Sequence, residues 1–308
     1  MIPWVLLAWN VGGLPAGRLA LVLETAAAAD IDFLILTSTL WAGSGRFTYR
    51  RRGRTGRPQP HMGASPDLER DGYLVIYHGA PRSYRGYAGG VMLCIRLRWV
   101  KYVCEIRTSS ERLLSARVRG SLDHQHFDVA FIAFYSYLNT GSGPSGGACY
   151  EKKRREAWEG LGAECVRLPA RTLRVLGLDG NDEGKHGVPG FGHLLSPKPY
   201  RQQGGANREE LAVLARRHHF LYANTCRLDE WRGHPSPVVD GSAVPGWGGT
   251  CCTALGGWSR IDYFGVADLD RVLRVAVGET RWEGVLSVPI DHLPIGMIYG
   301  ALTEYITS

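Results

Sequence analysis

Residues 289–294 read Pro-Ile-Asp-His-Leu-Pro, and they set an aspartate and a histidine just past the apolar run Val285–Val288. Four earlier segments share that arrangement, a polar residue at the end of an apolar run. They are Ala8-Trp9-Asn10-Val11-Gly12-Gly13, Tyr135-Ser136-Tyr137-Leu138-Asn139, Gly177-Leu178-Asp179-Gly180-Asn181 and Trp258-Ser259-Arg260-Ile261-Asp262-Tyr263. In a core of packed sheets, strand ends are where polar groups from different strands can meet at one surface. Singly, each segment has an ordinary explanation. Asn10 suits a turn, Asp179 and Asn181 suit turn caps, Asp262 suits a pair with an arginine, and His292 suits a satisfied structural histidine. Their order and spacing together point to one site.

Outward from these segments, apolar runs of strand length recur between Gly, Pro, Asn and Asp residues. They are Trp4–Trp9, Phe33–Leu36, Tyr73–Tyr77, Gly90–Leu97, Arg112–Val118, Val129–Tyr135, Arg174–Leu178, Phe220–Ala223, Ile261–Val266 and Val285–Val288, with Cys104–Arg107 a weaker case. Helices are expected over Arg18–Ala29, Tyr150–Ala163 and Asn207–His218, the last closing on basic residues that suit a helix C-terminus. Many strands with few helices imply two sheets face to face with helices outside. No repeat and no linker-like break appears, so the expectation is a single domain over 1–308. Ala42–Arg70 and Asp182–Gln203 read as long surface loops.

The net charge of +7 suits a polyanionic partner, and residues 46–57 hold six arginines and no acid. Each arginine is a planar fork for a phosphate, although a solvated loop has the same composition. Seven scattered cysteines show no zinc spacing, which suggests free thiols in a reducing, intracellular setting. The apolar N-terminus lacks a basic leader region and is too short to span a membrane, so it reads as a buried first strand, with no membrane partner expected. The glycine-rich stretch at 141–147 lacks the Lys-Ser/Thr ending of a phosphate loop, and the scattered histidines form no metal-spaced set.

The ordered set resembles the exonuclease–endonuclease–phosphatase (EEP) superfamily. This includes DNase I-like nucleases, abasic-site endonucleases and the endonuclease domains of non-LTR retrotransposons; the last, with their domesticated relatives, are nearest in style. The family runs W-N-x-x-G, L-Q-E-T, Y-x-P, G-D-x-N, [RS]-x-D-Y and S-D-H-x-P. The chain supplies WNVGG at 9–13, LTST at 36–39, YSYLN at 135–139, GLDGN at 177–181, SRIDYF at 259–264 and IDHLPI at 290–295. The resemblance implies a DNase I-like α/β (α+β) fold, a four-layer α/β-sandwich of two mixed sheets flanked by helices, ending soon after residue 295.

It also implies roles. His292 would orient or deprotonate a water, and Asp262 would hold its ring. Asp179 would position the nucleophile or protonate the leaving group. Asn181 and Tyr135 would contact the phosphate, Tyr135 or the leaving oxygen. Asn10 and Asp291 would hold Mg2+ or Mn2+. DNA is the implied partner, with Arg50, Arg51, Arg52, Arg54, Trp258 and Arg260 as contacts. Trp247 is a further stacking candidate, whereas Tyr263 reads first as core.

The sequence departs from the family at Ser38, which falls where a metal-binding glutamate is expected; at Leu178, inserted in the fourth motif; at Tyr137 and Leu138, in place of Pro; and at Ile290, in place of Ser. Serine is a poor magnesium ligand, so any cation is weakly bound or absent. Three explanations stand for Ser38. Catalysis has been lost; another carboxylate, Asp32, Asp182 or Glu183, takes over; or Asp291 and the substrate phosphate hold the metal. Three functions correspond: DNA endonuclease, inactive homologue serving as a nucleic-acid-binding or structural subunit of a larger assembly, and phosphatase of the same fold.

Overall fold

In the computed structural model, the residues described are 3–50, 71–79, 89–137, 147–182, 184, 188–191, 205–225, 251–252, 258–259, 261–267, 271–277, 292 and 294–300. Their elements in chain order are β1 (Pro3–Asn10), α1 (Ala16–Ala28), β2 (Phe33–Thr37), β3 (Ser44–Arg50), β4 (Gly72–His78) and β5 (Val91–Arg96). A single helical turn, α2 (Leu97–Val100), leads to β6 (Val103–Ser110), β7 (Leu113–Leu122) and β8 (Gln125–Tyr135). Then come α3 (Gly147–Arg167), β9 (Leu173–Asp179), α4 (Ala206–His218), β10 (Leu221–Tyr222), β11 (Cys251–Cys252), β12 (Trp258–Ser259), β13 (Asp262–Val266), β14 (Val272–Val277) and β15 (Ile295–Gly300).

The strands form a seven-stranded sheet, β14-β15-β1-β2-β5-β4-β3, and a six-stranded sheet, β10-β13-β9-β8-β7-β6, with β11 and β12 paired separately. Both large sheets are mixed, because β1–β2 and β8–β9 are parallel and other pairs antiparallel. The strands' period of two sends alternate side chains to opposite faces. Trp4, Leu6 and Ala8 of β1, Phe33 and Ile35 of β2, Phe131 and Ala133 of β8, and Val175 of β9 fill the core between the sheets. The other faces are covered by helices. Leu19, Val22 and Leu23 of α1 pack on Leu34 and Leu36 of β2. Trp158 and Leu161 of α3, with Leu211 and Leu214 of α4, pack on Ile132 and Leu176. The result is four layers, helix–sheet–sheet–helix.

At Gly177 the two sheets approach closely, with Ile35 of β2 facing it. A Cβ there would lie 2.6 Å from the Ile35 Cγ2 methyl, within a core that has no room to give. Gly177→Ala is therefore expected to destabilise the fold by about 1–3 kcal/mol, the usual cost of overpacking. Urea titration reads this as a lower midpoint at unchanged slope. An unchanged midpoint would show that the sheets can separate here at no cost.

The helices begin and end within a few residues of expectation, and the inner strands were found by their apolar runs. The segment 42–70 is not all loop: Ser44–Arg50 is β3, the edge strand paired with β4. It was missed because most of its residues are exposed, leaving no apolar alternation to read. Arginines on an edge strand also blunt edge-to-edge pairing. Strands β14 and β15 were missed as well; Gly296 and Gly300 interrupt the apolar pattern of β15. The expected strand Val285–Val288 lies outside the described residues. Tyr263 is core, as read, and Cys94, Cys104, Cys149 and Cys165 are free thiols. Among the described residues no helix is long and apolar enough to cross a membrane.

Candidate active site

The inward alternation of the central strands ends in polar residues at one edge of the sandwich. In β1 the series Trp4, Leu6, Ala8 continues to Asn10. In β8 it continues to Tyr135, in β9 to Asp179, and in β13, read backwards from Val266 and Phe264, to Asp262. The pairing register puts three of these side by side: Tyr135 opposite Asp179, and Asp179 opposite Asp262. On the facing sheet Asn10 pairs with Thr37, immediately before Ser38. His292 arrives from beyond β14, and its backbone carbonyl accepts a hydrogen bond from the Trp9 indole at 2.8 Å.

The side chains form one chain of contacts. His292 Nδ1 lies 2.8 Å from Asp262 Oδ2. His292 Nε2 lies 3.3 Å from Asn10 Nδ2, which donates to Asp179 Oδ2 at 2.6 Å. Asn10 Oδ1 accepts from the Gly12 N–H, which fixes the amide with its nitrogen toward the other groups. An amide nitrogen only donates, so Nε2 must be the acceptor and the ring proton sits on Nδ1, facing Asp262. Asp179 Oδ1 accepts from the Asn181 N–H, and the Asn181 amide donates to Ser136 O at 2.8 Å. Asn181 achieves this with φ at 51°, a left-handed conformation that asparagine tolerates better than most residues.

Asp179 is only 1% exposed. Burial and the neighbouring Asp262 charge push its carboxyl up to about 7, against the opposing influence of His292, Asn181 and Asn10. The folded state thus prefers the protonated acid. That preference favours folding below the ordinary value of 3.8 and is lost as pH rises through about 7. A tenfold change in proton affinity is about 1.4 kcal/mol, so the full difference amounts to a few kcal/mol. Asp179→Asn is therefore expected to raise thermal stability at pH 8, with metal chelated, and to leave it nearly unchanged at pH 4. Equal changes at both pH values would mean that the buried charge carries no cost.

Asp179, Asp262 and His292 offer ligand atoms that all lie within 4.8 Å of one another. This set of two carboxylates and one imidazole could hold a divalent cation. Tyr135 lines the same pocket, and the Ser38 side chain hydrogen-bonds its hydroxyl. Burial, then the Asp179 charge, raises the Tyr135 phenol, so it stays protonated. Ser38 has φ at 55°, an uncommon conformation for serine, two residues before Leu40 with φ at 57°.

Two supporting residues escaped the sequence reading. Arg112 is buried at the start of β7, with its guanidinium 4.6 Å from the Tyr135 ring centre and 3.7 Å from that of Tyr137. It also donates to Ser136 O at 3.0 Å, so it clamps the strand end that presents Tyr135. Asn207, fully buried on α4, accepts from Ser136 Oγ and the Trp158 indole and donates to Tyr137 O. The available signals were an arginine opening an apolar strand and an asparagine opening a helix.

The expected residues His292, Asp262, Asp179, Asn181, Tyr135 and Asn10 are thus brought together. Arg50 lies exposed on β3, in an edge strand rather than the expected loop. Arg51, Arg52, Arg54, Trp247, Arg260, Asp291 and Glu183 lie outside the described residues, and of Trp258 only the backbone, in β12, is described. Asp32 cannot replace a carboxylate at Ser38. It sits just before β2, at the opposite end of that strand, where it accepts from Arg98, the Trp99 indole and the Val5 N–H. Asp182 is held at α4, accepting the Arg208 N–H.

No family model and no curated protein matches the chain. Solved structures do. The endonuclease domain of TRAS1, a telomere-specific non-LTR retrotransposon, superposes with a TM-score of 0.52 at 11% identity, over 98% of this chain and 100% of that one. An endonuclease/exonuclease/phosphatase family protein from Leptotrichia buccalis C-1013-b gives 0.50 at 13% identity, over 96% and 98%. The chain therefore has the DNase I-like α/β-sandwich fold that these proteins share.

Proposed function

We propose that the chain hydrolyses phosphodiester bonds of DNA with the help of a divalent cation. The reading rests chiefly on the alignment of Asp262, His292, Asn10 and Asp179, in which Asp262 holds His292 Nδ1 and the acceptor nitrogen Nε2 faces Asn10. In this scheme a water attacks phosphorus and passes a proton to His292 Nε2, while the bond to the leaving oxygen breaks. Asp262 holds the ring and stabilises the imidazolium that forms. The Tyr135 hydroxyl would donate to the leaving oxygen, and the Asn181 amide, which also donates to Ser136 O, would contact the phosphate. When bound, magnesium or manganese would relieve charge on the phosphoryl oxygens. Asp179 would hold it, with Asp291 as a further ligand; Asn10, expected as a ligand, turns its amide nitrogen to the other groups and would orient Asp179 instead.

Two further points support a nucleic-acid substrate: the net charge of +7, and a stretch of chain from residue 33 to residue 66 that holds six arginines and no acid. The test is nicking of supercoiled plasmid with magnesium or manganese against a chelated control. Absence of both nicking and salt-sensitive DNA binding would sink the reading.

One observation favours a second reading, an inactive nucleic-acid-binding or structural subunit. The position expected to carry a metal-binding carboxylate is the neutral Ser38, already engaged with Tyr135. Salt-sensitive DNA binding without nicking under any metal would support it.

A further inference from the structure

At the end of the sandwich away from the catalytic pocket, a group of cations stands without acids. Strand β9 sends Val175 inward and Leu176 and Leu178 outward to the helices, so Arg174, two residues before Leu176, points to the helical side. There its charge acts on Cys165 of α3 and on His218 of α4. Gly162 of α3 faces this histidine: a Cβ there would stand 3.8 Å from His218 Nε2. Arg217 lies seven residues after Glu210, hence on the same stripe of α4, and Glu210 meets Arg154 of α3 at 3.6 Å. Arg174, Arg217 and His218 therefore line one groove between the C-terminal parts of the two helices.

The charge in this groove is uncompensated. Arg96, Arg98, Arg117, Arg154 and Arg167 each reach a carboxylate at 2.6–2.8 Å. Arg174, Arg216, Arg217, His218 and His219 reach none among the described residues, and the buried Nε of Arg174 has no hydrogen-bond partner. The acids of neighbouring elements are committed elsewhere. Glu164 of α3 accepts from Ser115 and Arg167, and Asp128 of β8 accepts from Arg117. Burial, then the charges of Arg174, Arg217 and His219, hold His218 below its ordinary value, and no carboxylate opposes them. A helix C-terminus welcomes cations, but its partial charge is only about half a unit. Arg216 and Arg217 alone exceed it, and Arg174 belongs to a strand. The end of α4 keeps a positive field that an outside anion would neutralise.

Guanidinium forks match phosphate oxygens. Arg216, exposed like Arg217 and one residue before it, stands about 100° away round the helix, so the two cannot close on a single phosphate. The surface suits phosphates in a row, as a nucleic-acid backbone presents them. We propose that the groove lined by Arg174, Arg217 and His218 holds backbone phosphates of nucleic acid, as a second contact remote from the catalytic pocket. Five residue steps along β9 separate Arg174 from Asp179, about 17 Å. The phosphates held here thus lie at least about five nucleotides along a strand from the one in the pocket. The proposal rests on the nucleic-acid reading of that pocket for its ligand, but it concerns binding alone.

The probe is a duplex of about 30 base pairs, long enough to span both places, bound with metal chelated so that no cleavage intervenes. The salt dependence of binding counts phosphate contacts, about 0.9 in log–log slope for each. Arg174→Met combined with Arg217→Met keeps the hydrocarbon stems and should lower the slope by about two, with the melting temperature checking the fold. Lys101→Ser with Arg119→Ser, an equal loss of charge beside the edge strand β6, should leave the slope at the wild-type value. If the double methionine variant does not fold, Arg217→Glu at its exposed position should lower the slope by at least about one. An unchanged slope in a folded variant, or an equal fall in the control, would overturn the groove. Inorganic phosphate is the last arm. Should it raise the melting temperature of the wild type but not of the variant, while their DNA slopes agree, the groove takes a small anion and the proposal fails. A slope difference in a protein that never nicks would instead overturn only the hydrolytic reading.

Discussion

His292→Ala lowers plasmid nicking by roughly 10²–10⁴-fold, the usual worth of a positioned general base. Binding of DNA with metal chelated should change little, since the ring is buried, only 7% exposed, and serves the reacting water rather than the flanking backbone. The argument is geometric. Nδ1 is held by Asp262 at 2.8 Å, and Nε2 is left facing Asn10 and Asp179. Asp262→Asn should act through the same ring. An amide can present its N–H to Nδ1, which would put the ring proton on Nε2 and remove the base without emptying the pocket. The two variants should therefore fall together, and the double variant should lose little more than either alone, because residues that act as a unit are not additive. A His292→Ala protein that nicks at the wild-type rate would remove the imidazole from the mechanism and leave the dyad a structural contact.

The legibility of this molecule was uneven, for identifiable reasons. The site was readable because the inward alternation of four strands stops in a polar residue at the same level of the sandwich: Asn10, Tyr135, Asp179 and Asp262. A polar group at the end of an apolar run is visible in one dimension. That Tyr135, Asp179 and Asp262 stand in one row is a matter of register, which the runs alone do not fix. The edge strand β3 was hidden because a strand with most of its residues exposed leaves no hydrophobic pattern. Arg112 and Asn207 were hidden differently: their value lies in carbonyls and rings far away in sequence that only the folded chain brings to them. Asp32, weighed as a spare carboxylate, proved to be committed at the far end of β2, because the direction of a strand is not legible in its composition.

Ser38→Glu tests the cation directly. A carboxylate at this position would enter the pocket beside Tyr135 and next to the Asn10–Thr37 pair, adding the anionic oxygen that serine lacks. A charge-assisted contact is worth about 1.5–3 kcal/mol, so the dissociation constant for magnesium or manganese should fall about ten- to a hundredfold. Without metal the same change should be unfavourable. A third carboxylate would join Asp179 and Asp262, and Asp179 already resists ionisation because of Asp262 and its burial. The left-handed backbone at position 38 adds strain for any residue but glycine. The melting temperature should therefore drop in chelator and recover on adding metal, with a larger metal-induced shift than in the wild type. Nicking at limiting metal should rise in parallel if the wild type is an enzyme short of cation. If the wild type binds DNA without cutting it, nicking that first appears in this variant would identify a binding protein built on an otherwise complete hydrolytic pocket. Calorimetry that finds no tighter metal binding, with the variant folded, would mean that position 38 does not face the cation, and the assignment of metal to this pocket would fail with it.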